Sequence, residues 1–333
     1  MDLKVFISRI SPGSLGRFFR NLNIVHQESG KNRIGLFFDM AYSMFKYDIG
    51  YLDYLTFGFA YIGHEKRKTF MTMSQNLKFS RGLNQIEAQN VFKDKLEFCK
   101  TFAPYLNRDF MDLREGFEVF ETFCHGKSDF FAKVTDSYGG IGVQKVHLEG
   151  KDLRQLYEEL MENHMFLVEE TIVQHPEMNQ LCQRSVNTIR IVTVVSDHGN
   201  PNVVYSLVRI GSGTNDVDNV TSGGMYTLLS PEGKITHPAF CDKTVTYYTE
   251  HPATGFVFKG FQVPYFEEAK ELCRKAALVE TRMRYIGWDV AITPKGPVLV
   301  EGNYLPGYDM CQNHRFHDDG CGILPAFEAA IDN

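Results

Sequence analysis

The stretch Gly287–Gly307, GWDVAITPKGPVLVEGNYLPG, constrains this chain more than any other. Two apolar runs flank the turn-rich segment Thr293–Pro297, the pattern of a β-hairpin. With the loop centred on Lys295, Asp289 falls opposite Glu301, and such paired residues share a face with Cβ atoms about 5 Å apart. Asn303, two residues on, joins that face. Trp288, Val290, Ile292, Val298 and Val300 then fill the other face and demand a core behind it. Two carboxylates this close repel unless a cation or a proton intervenes. Hard oxygen donors of this kind suit Mg²⁺, above all where phosphate oxygens complete its shell. A solvated polar face is the alternative.

A second hairpin is read over Thr188–Val195 and Val203–Ile210, around His198-Gly199-Asn200-Pro201. A turn centred between Gly199 and Asn200 sets Arg190 opposite Arg209, with Ile189, Ile191, Val195, Val204, Val208 and Ile210 on the core side. Two facing cations are unfavourable unless an anion sits between them, and guanidinium forks match phosphate or carboxylate oxygens. Nearby acids would satisfy the same arginines, so both readings stand. The third segment, DFFAKVTDSYGGIGVQKV, carries Lys133 in a strand-like run ahead of Gly139-Gly140-Ile141-Gly142. A glycine loop lets backbone N–H groups approach phosphate, and a lysine adds a point charge. The segment lacks the GKS or GKT of a Walker A loop and the spacing of a dinucleotide fingerprint. A plain glycine hairpin with an incidental lysine explains it equally well. Taken together, the three are the parts needed to hold a magnesium nucleoside triphosphate.

Composition narrows the classes. The 333 residues, 43% hydrophobic, suggest about two structural units and exclude wholesale disorder. With 35 Lys+Arg against 41 Asp+Glu, a broadly cationic surface for duplex nucleic acid is excluded, while local anion sites remain open. The seven cysteines form no CxxC, and no signal peptide is evident, which reads as reduced thiols in a cytoplasmic protein. The longest apolar run, Leu55–Gly63, falls short of the roughly 18–20 residues of a membrane helix.

Residues 1–107 read as a mainly helical region rich in aromatic residues, with helices over 35–62 and Ile86–Leu106. Lys66, Arg67 and Lys68 follow the first of these, either touching a membrane surface or forming a solvated basic tip on an aromatic core. From Asp129 the texture changes to strands over DFFAKV, IGVQKV, MFLVEE, NTIRIVTVV and NVVYSLVRI, with helices over Asp152–Met165 and Pro264–Tyr285. The class is α+β.

In the order of these motifs the chain resembles the ATP-grasp superfamily. Asp129–Gly307 is similar to its pair of α+β subdomains clamping ATP, which implies a lid subdomain at about 120–170 and a metal-binding subdomain at about 171–325, within an ATP-grasp domain of residues 108–333. EGNYLPG resembles the E-x-N-x-x-P-G signature and implies Asp289, Glu301 and Asn303 as Mg²⁺ ligands, with Mn²⁺ as a possible substitute. Lys133 and Lys95, the latter in FKDKLEF, resemble the two nucleotide lysines; Gly139, Gly140 and Gly142 resemble the phosphate lid. FLVEE is similar to the hinge, implying adenine recognition by Glu169 and Glu170 through Ile172, with Glu177 for the ribose. NTIRI, SLVRIG, Asn219 and Gly223-Gly224 resemble the arginine-bearing strands of carboxylate–amine ligases.

Within the superfamily, LNQIEAQNVFKDKLEF, SVNTIRIVT and EGNYLPGYDMCQ are most similar to the sugar-transfer associated ATP-grasp group, over about residues 50–325. That group is linked to the making of surface polysaccharide. Helices stand here where better-known members carry their first substrate domain, so the substrate of D-alanine–D-alanine ligase does not carry over. The resemblance implies ATP-dependent joining of a small or sugar-linked carboxylate to an amine through an acylphosphate, with Arg190 or Arg209 at the transferring phosphoryl group. Phosphorylation of a hydroxyl and ATP binding without chemistry are the alternatives. His314, His317, Asp318 and Asp319 read as a second metal site or a polar loop, and Gln312 is placed to touch the acceptor.

Overall fold

Antiparallel pairing organises the chain into two sheets. This computed structural model describes residues 12–137, 142–213 and 223–333. The helical region comes first: α1 (Pro12–Ser29), α2 (Arg33–Lys46), α3 (Tyr51–Thr56), α4 (His64–Arg67), α5 (Met73–Leu83), α6 (Asn90–Lys93), α7 (Lys95–Thr101) and α8 (Ala103–Leu106). The helix expected over 35–62 breaks after Lys46, where Asp48 takes a left-handed φ of 56° and Gly50 caps the next helix. Ile86–Leu106 likewise splits into short turns. Asp94 interrupts it, accepting hydrogen bonds from the Leu96 and Glu97 amides as the N-cap of α7.

A four-stranded sheet follows, ordered β1-β4-β2-β3, from β1 (Phe110–Asp112), β2 (Asp129–Lys133), β3 (Val143–His147) and β4 (Leu167–Glu170). Helices α9 (Phe117–Cys124) and α10 (Leu153–Glu162) bury Phe120, Leu156 and Leu160 against Phe130 and Val168 of this sheet. The seven-stranded sheet runs β11-β10-β5-β6-β7-β8-β9, from β5 (Ile189–Val195), β6 (Pro201–Ile210), β7 (Met225–Leu228), β8 (Ala239–Cys241), β9 (Thr246–Tyr248), β10 (Tyr285–Thr293) and β11 (Gly296–Asn303). Helix α11 (Phe266–Ala277) and α6–α8 cover one face, where Phe92, Phe98, Phe102 and Cys273 meet Ile189, Ile191, Trp288 and Val290. Helices α1–α3 and α12 (Leu324–Asp332) cover the other, against Val192, Val194, Tyr205, Leu207 and Tyr285. The N-terminal helices therefore share both cores of the large sheet.

Two expectations need correcting. The helix over Pro264–Tyr285 ends at Ala277, and Tyr285 opens β10. The run Lys66–Lys68 is not one basic tip: Arg67 lies inward on Asp39 and the Phe59 carbonyl, while Lys68 pairs with Glu65 on the surface. No described helix is long and apolar enough to cross a membrane.

Candidate active site

The metal-strand hairpin keeps its expected pairing by an unexpected route. Its turn is the two residues Pro294-Lys295, so Thr293 faces Gly296 and Val290 faces Leu299. A β-bulge at Val300 then adds one residue to β11 and restores Asp289 opposite Glu301. The two-residue turn also changes the apolar face ahead of the bulge: Leu299, not Val298 and Val300, joins Trp288, Val290 and Ile292 in one core cluster. Val300 faces a cavity instead.

In the second hairpin the register differs by two residues. Arg190 faces Leu207, not Arg209, because the turn is centred on His198, a three-residue shift of which the bulge between Val192 and Thr193 recovers one. Val204 is the bulged residue and leaves the expected core face. A two-residue shift preserves the face, so both arginines still converge, on Asp289. Arg190 grips its carboxylate at 2.5 and 3.0 Å, and Arg209 Nη1 lies 3.2 Å from Oδ2. Burial works to raise the Asp289 carboxyl; Arg190 and then Arg209 outweigh it and hold it at about 2. Glu301 beside it moves the other way, raised by burial and then by the Asp289 charge. The Asn303 amide approaches Glu301 at 3.5 Å.

A cavity of about 280 Å³ opens along the edge strand β11, facing the small sheet. Lys95, Lys133, Glu169, Glu301 and Asn303 line it, with Phe92, Phe98, Leu167 and Tyr304 as apolar walls. Lys133 and Glu169 form an ion pair across β2 and β4. Lys95 reaches the Ser137 carbonyl and, at 3.1 Å, its hydroxyl, while its own amide donates to the Thr135 carbonyl at 2.8 Å. It thereby grips the chain entering the glycine loop. Burial lowers its pKa, with Lys133 adding to the effect and Glu301 opposing it. Gly142 ends that loop with φ of 68°, and a Cβ there would come within 2.9 Å of Val134 Cγ2. Gly139, Gly140 and Asn219 lie outside the described residues.

Glu169 is the most enclosed charge on the wall, at 2% exposure. Arg108 meets its Oε1 at 2.5 and 2.9 Å, and burial, which would raise the carboxyl, is outweighed by Arg108 and then Lys133, which hold it at about 2. Arg108 also donates to the Leu299 carbonyl at 2.6 Å, occupying the open edge of β11 at its bulge. No motif marks Arg108 in the sequence. Of the other hinge residues, Glu170 accepts a hydrogen bond from the Asp109 amide at 3.2 Å, and Glu177 is exposed beside His175. Neither they nor Ile172 line the cavity.

The donor set fits a magnesium nucleotide: paired carboxylates with one amide face the same cavity as two lysines, Lys95 and Lys133, of which Lys133 meets Glu169. The C-terminal segment takes the polar-loop reading. His314 meets the Thr56 carbonyl at 3.1 Å and His317 the Cys311 carbonyl at 2.6 Å, and no described cluster of three His, Cys, Asp or Glu could hold a metal ion. Gln312 does not reach an acceptor: it is fully buried, and its amide is spent on Met71, Tyr308 and Ile323.

The sequence profile of the sugar-transfer associated ATP-grasp family matches residues 74–315. No curated protein matches the chain. Among solved structures, D-alanine–D-alanine ligase from Coxiella burnetii aligns at 12% identity and TM-score 0.38, over 72% of this chain and 53% of that one. N5-carboxyaminoimidazole synthetase from Staphylococcus aureus, complexed with ADP, aligns at 13% and 0.44, over 68% and 48%. The ATP-grasp ligase PsnB, complexed with precursor peptide PsnA2 and AMPPNP, aligns at 13% and 0.42, over 78% and 65%. The chain spans about half the length of the first two.

Proposed function

The chain belongs to the sugar-transfer associated ATP-grasp family, and from that premise we propose that it is an ATP- and Mg²⁺-dependent carboxylate–amine ligase, releasing ADP and phosphate through an acylphosphate. One observation carries the reading: Lys95, Lys133, Glu301 and Asn303 line a single cavity beside the Asp289–Arg190–Arg209 cluster. Mg²⁺, when bound, supplies charge neutralisation between the β- and γ-phosphates.

The protein's own groups do the rest. Asp289, Glu301 and Asn303 present the oxygen ligands on one hairpin face. Burial and then the Asp289 charge raise Glu301, and a divalent cation held by the two carboxylates would offset that repulsion. Lys133 and Lys95 bind phosphate oxygens, Lys133 exchanging its Glu169 partner for them in part. Arg190 and Arg209, oriented by Asp289, present guanidinium N–H groups to the attacking carboxylate or the phosphoryl group in transfer. Lys95 holds Ser137, at the entry to the glycine segment that the reading assigns to the phosphates. Of the hinge strand, Glu169 is the residue that reaches the cavity wall, and the adenosine end is assigned to that side of the cavity. The carboxylate and amine are small molecules or sugar-linked groups of polysaccharide assembly.

Hydroxylamine trapping tests the reaction class. A carboxylate that stimulates ADP release forms a hydroxamate if it is activated as an acylphosphate. Stoichiometric ADP release with a phosphorylated hydroxyl and no hydroxamate would show a kinase instead.

A further inference from the structure

Helix α2 is apolar on two sides. It buries Leu36, Met40 and Ser43 inward, yet Ile34, Phe38, Tyr42 and Phe45 point outward at 69, 64, 53 and 66% exposure. At 3.6 residues per turn these four fall within a sector of about 80°. The patch continues onto α1 through ring contacts, Phe19 stacking on Phe37 at 6.5 Å and Phe37 meeting Phe38 edge-on at 5.5 Å, and Leu15 extends it. Single exposed hydrophobes are ordinary, but a contiguous aromatic face is not, and a helix apolar all round is one that something covers.

The charges around the patch choose the cover. Residues 1–46 hold seven Lys or Arg against three Asp or Glu, in a chain whose net charge is −6. The two acids among the described part of that segment are engaged elsewhere, Asp39 by Arg67 and Glu28 by Arg315. Arg20, Arg33 and Lys46 are exposed beside the aromatic face. A second copy related by a two-fold axis would set these same cations against themselves. We propose that α1 and α2 lie on an anionic phospholipid bilayer, the aromatic face entering the headgroup–acyl boundary and the flanking basic residues meeting lipid phosphates. Lengths of 18 and 14 residues with charges in both helices suit lying in the interface rather than spanning it.

Co-sedimentation of the full chain with phosphatidylcholine vesicles, with and without phosphatidylglycerol, tests this. Binding is expected to the phosphatidylglycerol vesicles, at least about tenfold weaker to phosphatidylcholine alone, and weakened by salt. The double variant Phe38→Ser/Phe45→Ser should lose about tenfold or more in affinity while keeping its melting temperature, both side chains being exposed. Phe38→Trp should show a blue-shifted emission on vesicle addition, against the constant background of the one native tryptophan, buried Trp288. Equal binding to neutral vesicles, no binding, or a double variant that binds like the wild type would overturn the proposal. So would a dimer by light scattering that the double variant abolishes, since a second copy would then cover the face.

Discussion

Arg108→Ala removes a group that joins the two sheets at the cavity wall. The Arg108 side chain is 4% exposed and that of Glu169 2%, so the pair is shielded from water. Breaking such a pair costs about 3–5 kcal/mol, because a charge is left uncompensated in the interior. Lys133 remains as a second partner of Glu169 and places the expected cost at the lower end, about 3 kcal/mol. Losing the donor to the Leu299 carbonyl adds about 1 kcal/mol. Linkage gives a comparable figure. Moving a carboxyl from 4.5 to about 2 is worth about 3 kcal/mol, shared between Arg108 and Lys133. The sign follows from the depressed pKa: this stability is complete above pH 4.5 and is lost as pH falls towards 2. Urea unfolding at pH 7 of wild type, Arg108→Ala, Glu169→Gln and the double variant measures it. The double variant should be more stable than the sum of the two losses predicts, by about 2 kcal/mol. Strictly additive losses, with Arg108→Ala costing under about 1 kcal/mol, would refute the buried-pair reasoning.

Other outcomes follow from the same geometry. Gly302→Ala would set a Cβ 2.8 Å from the Phe92 ring, so it should cost about 1–3 kcal/mol by thermal or urea unfolding and narrow the cavity. Asp242 is raised to about 6 by burial and then by Asp309, so it binds its proton more tightly folded than unfolded. Its contribution to stability should fall as pH rises from about 4 to 6, and Asp242→Asn should flatten that slope of the melting temperature against pH. Lys133→Ala removes one partner of Glu169 and, on the proposed function, one phosphate contact; it should then lower kcat/KM for ATP by tenfold or more, the size of one charge-assisted contact, roughly 1.5–3 kcal/mol.

The carboxylate pair was legible because two one-residue departures in register cancel, the turn position and the bulge, while the arginine pair was legible because strand-face parity survives errors of an even number of residues. Asp289 and Glu301 met as read, although the turn sits half a residue from where it was placed and the bulge at Val300 makes up the difference. Arg190 and Arg209 stayed on one face through that parity, despite a two-residue shift. Bulges at Val204 and Val300 left no trace in composition, since each is a valine in a valine-rich strand. Arg108 was illegible in a different way. It lies between two helices' end and a three-residue strand, with no periodicity around it, and its partner Glu169 is 61 residues on. The break in 35–62 had a signal that aromatic spacing masked: Asp48-Ile49-Gly50 is turn chemistry inside an apolar run.

Binding of a non-hydrolysable ATP analogue with Mg²⁺, followed by calorimetry on wild type, Asp289→Asn and Glu301→Gln, tests the central claim most directly. The account predicts Mg²⁺-dependent binding to the wild type and a loss of about tenfold or more in each variant, with the Mg²⁺ dependence gone. Equal affinity in all three proteins, or wild-type binding indifferent to Mg²⁺, would contradict it.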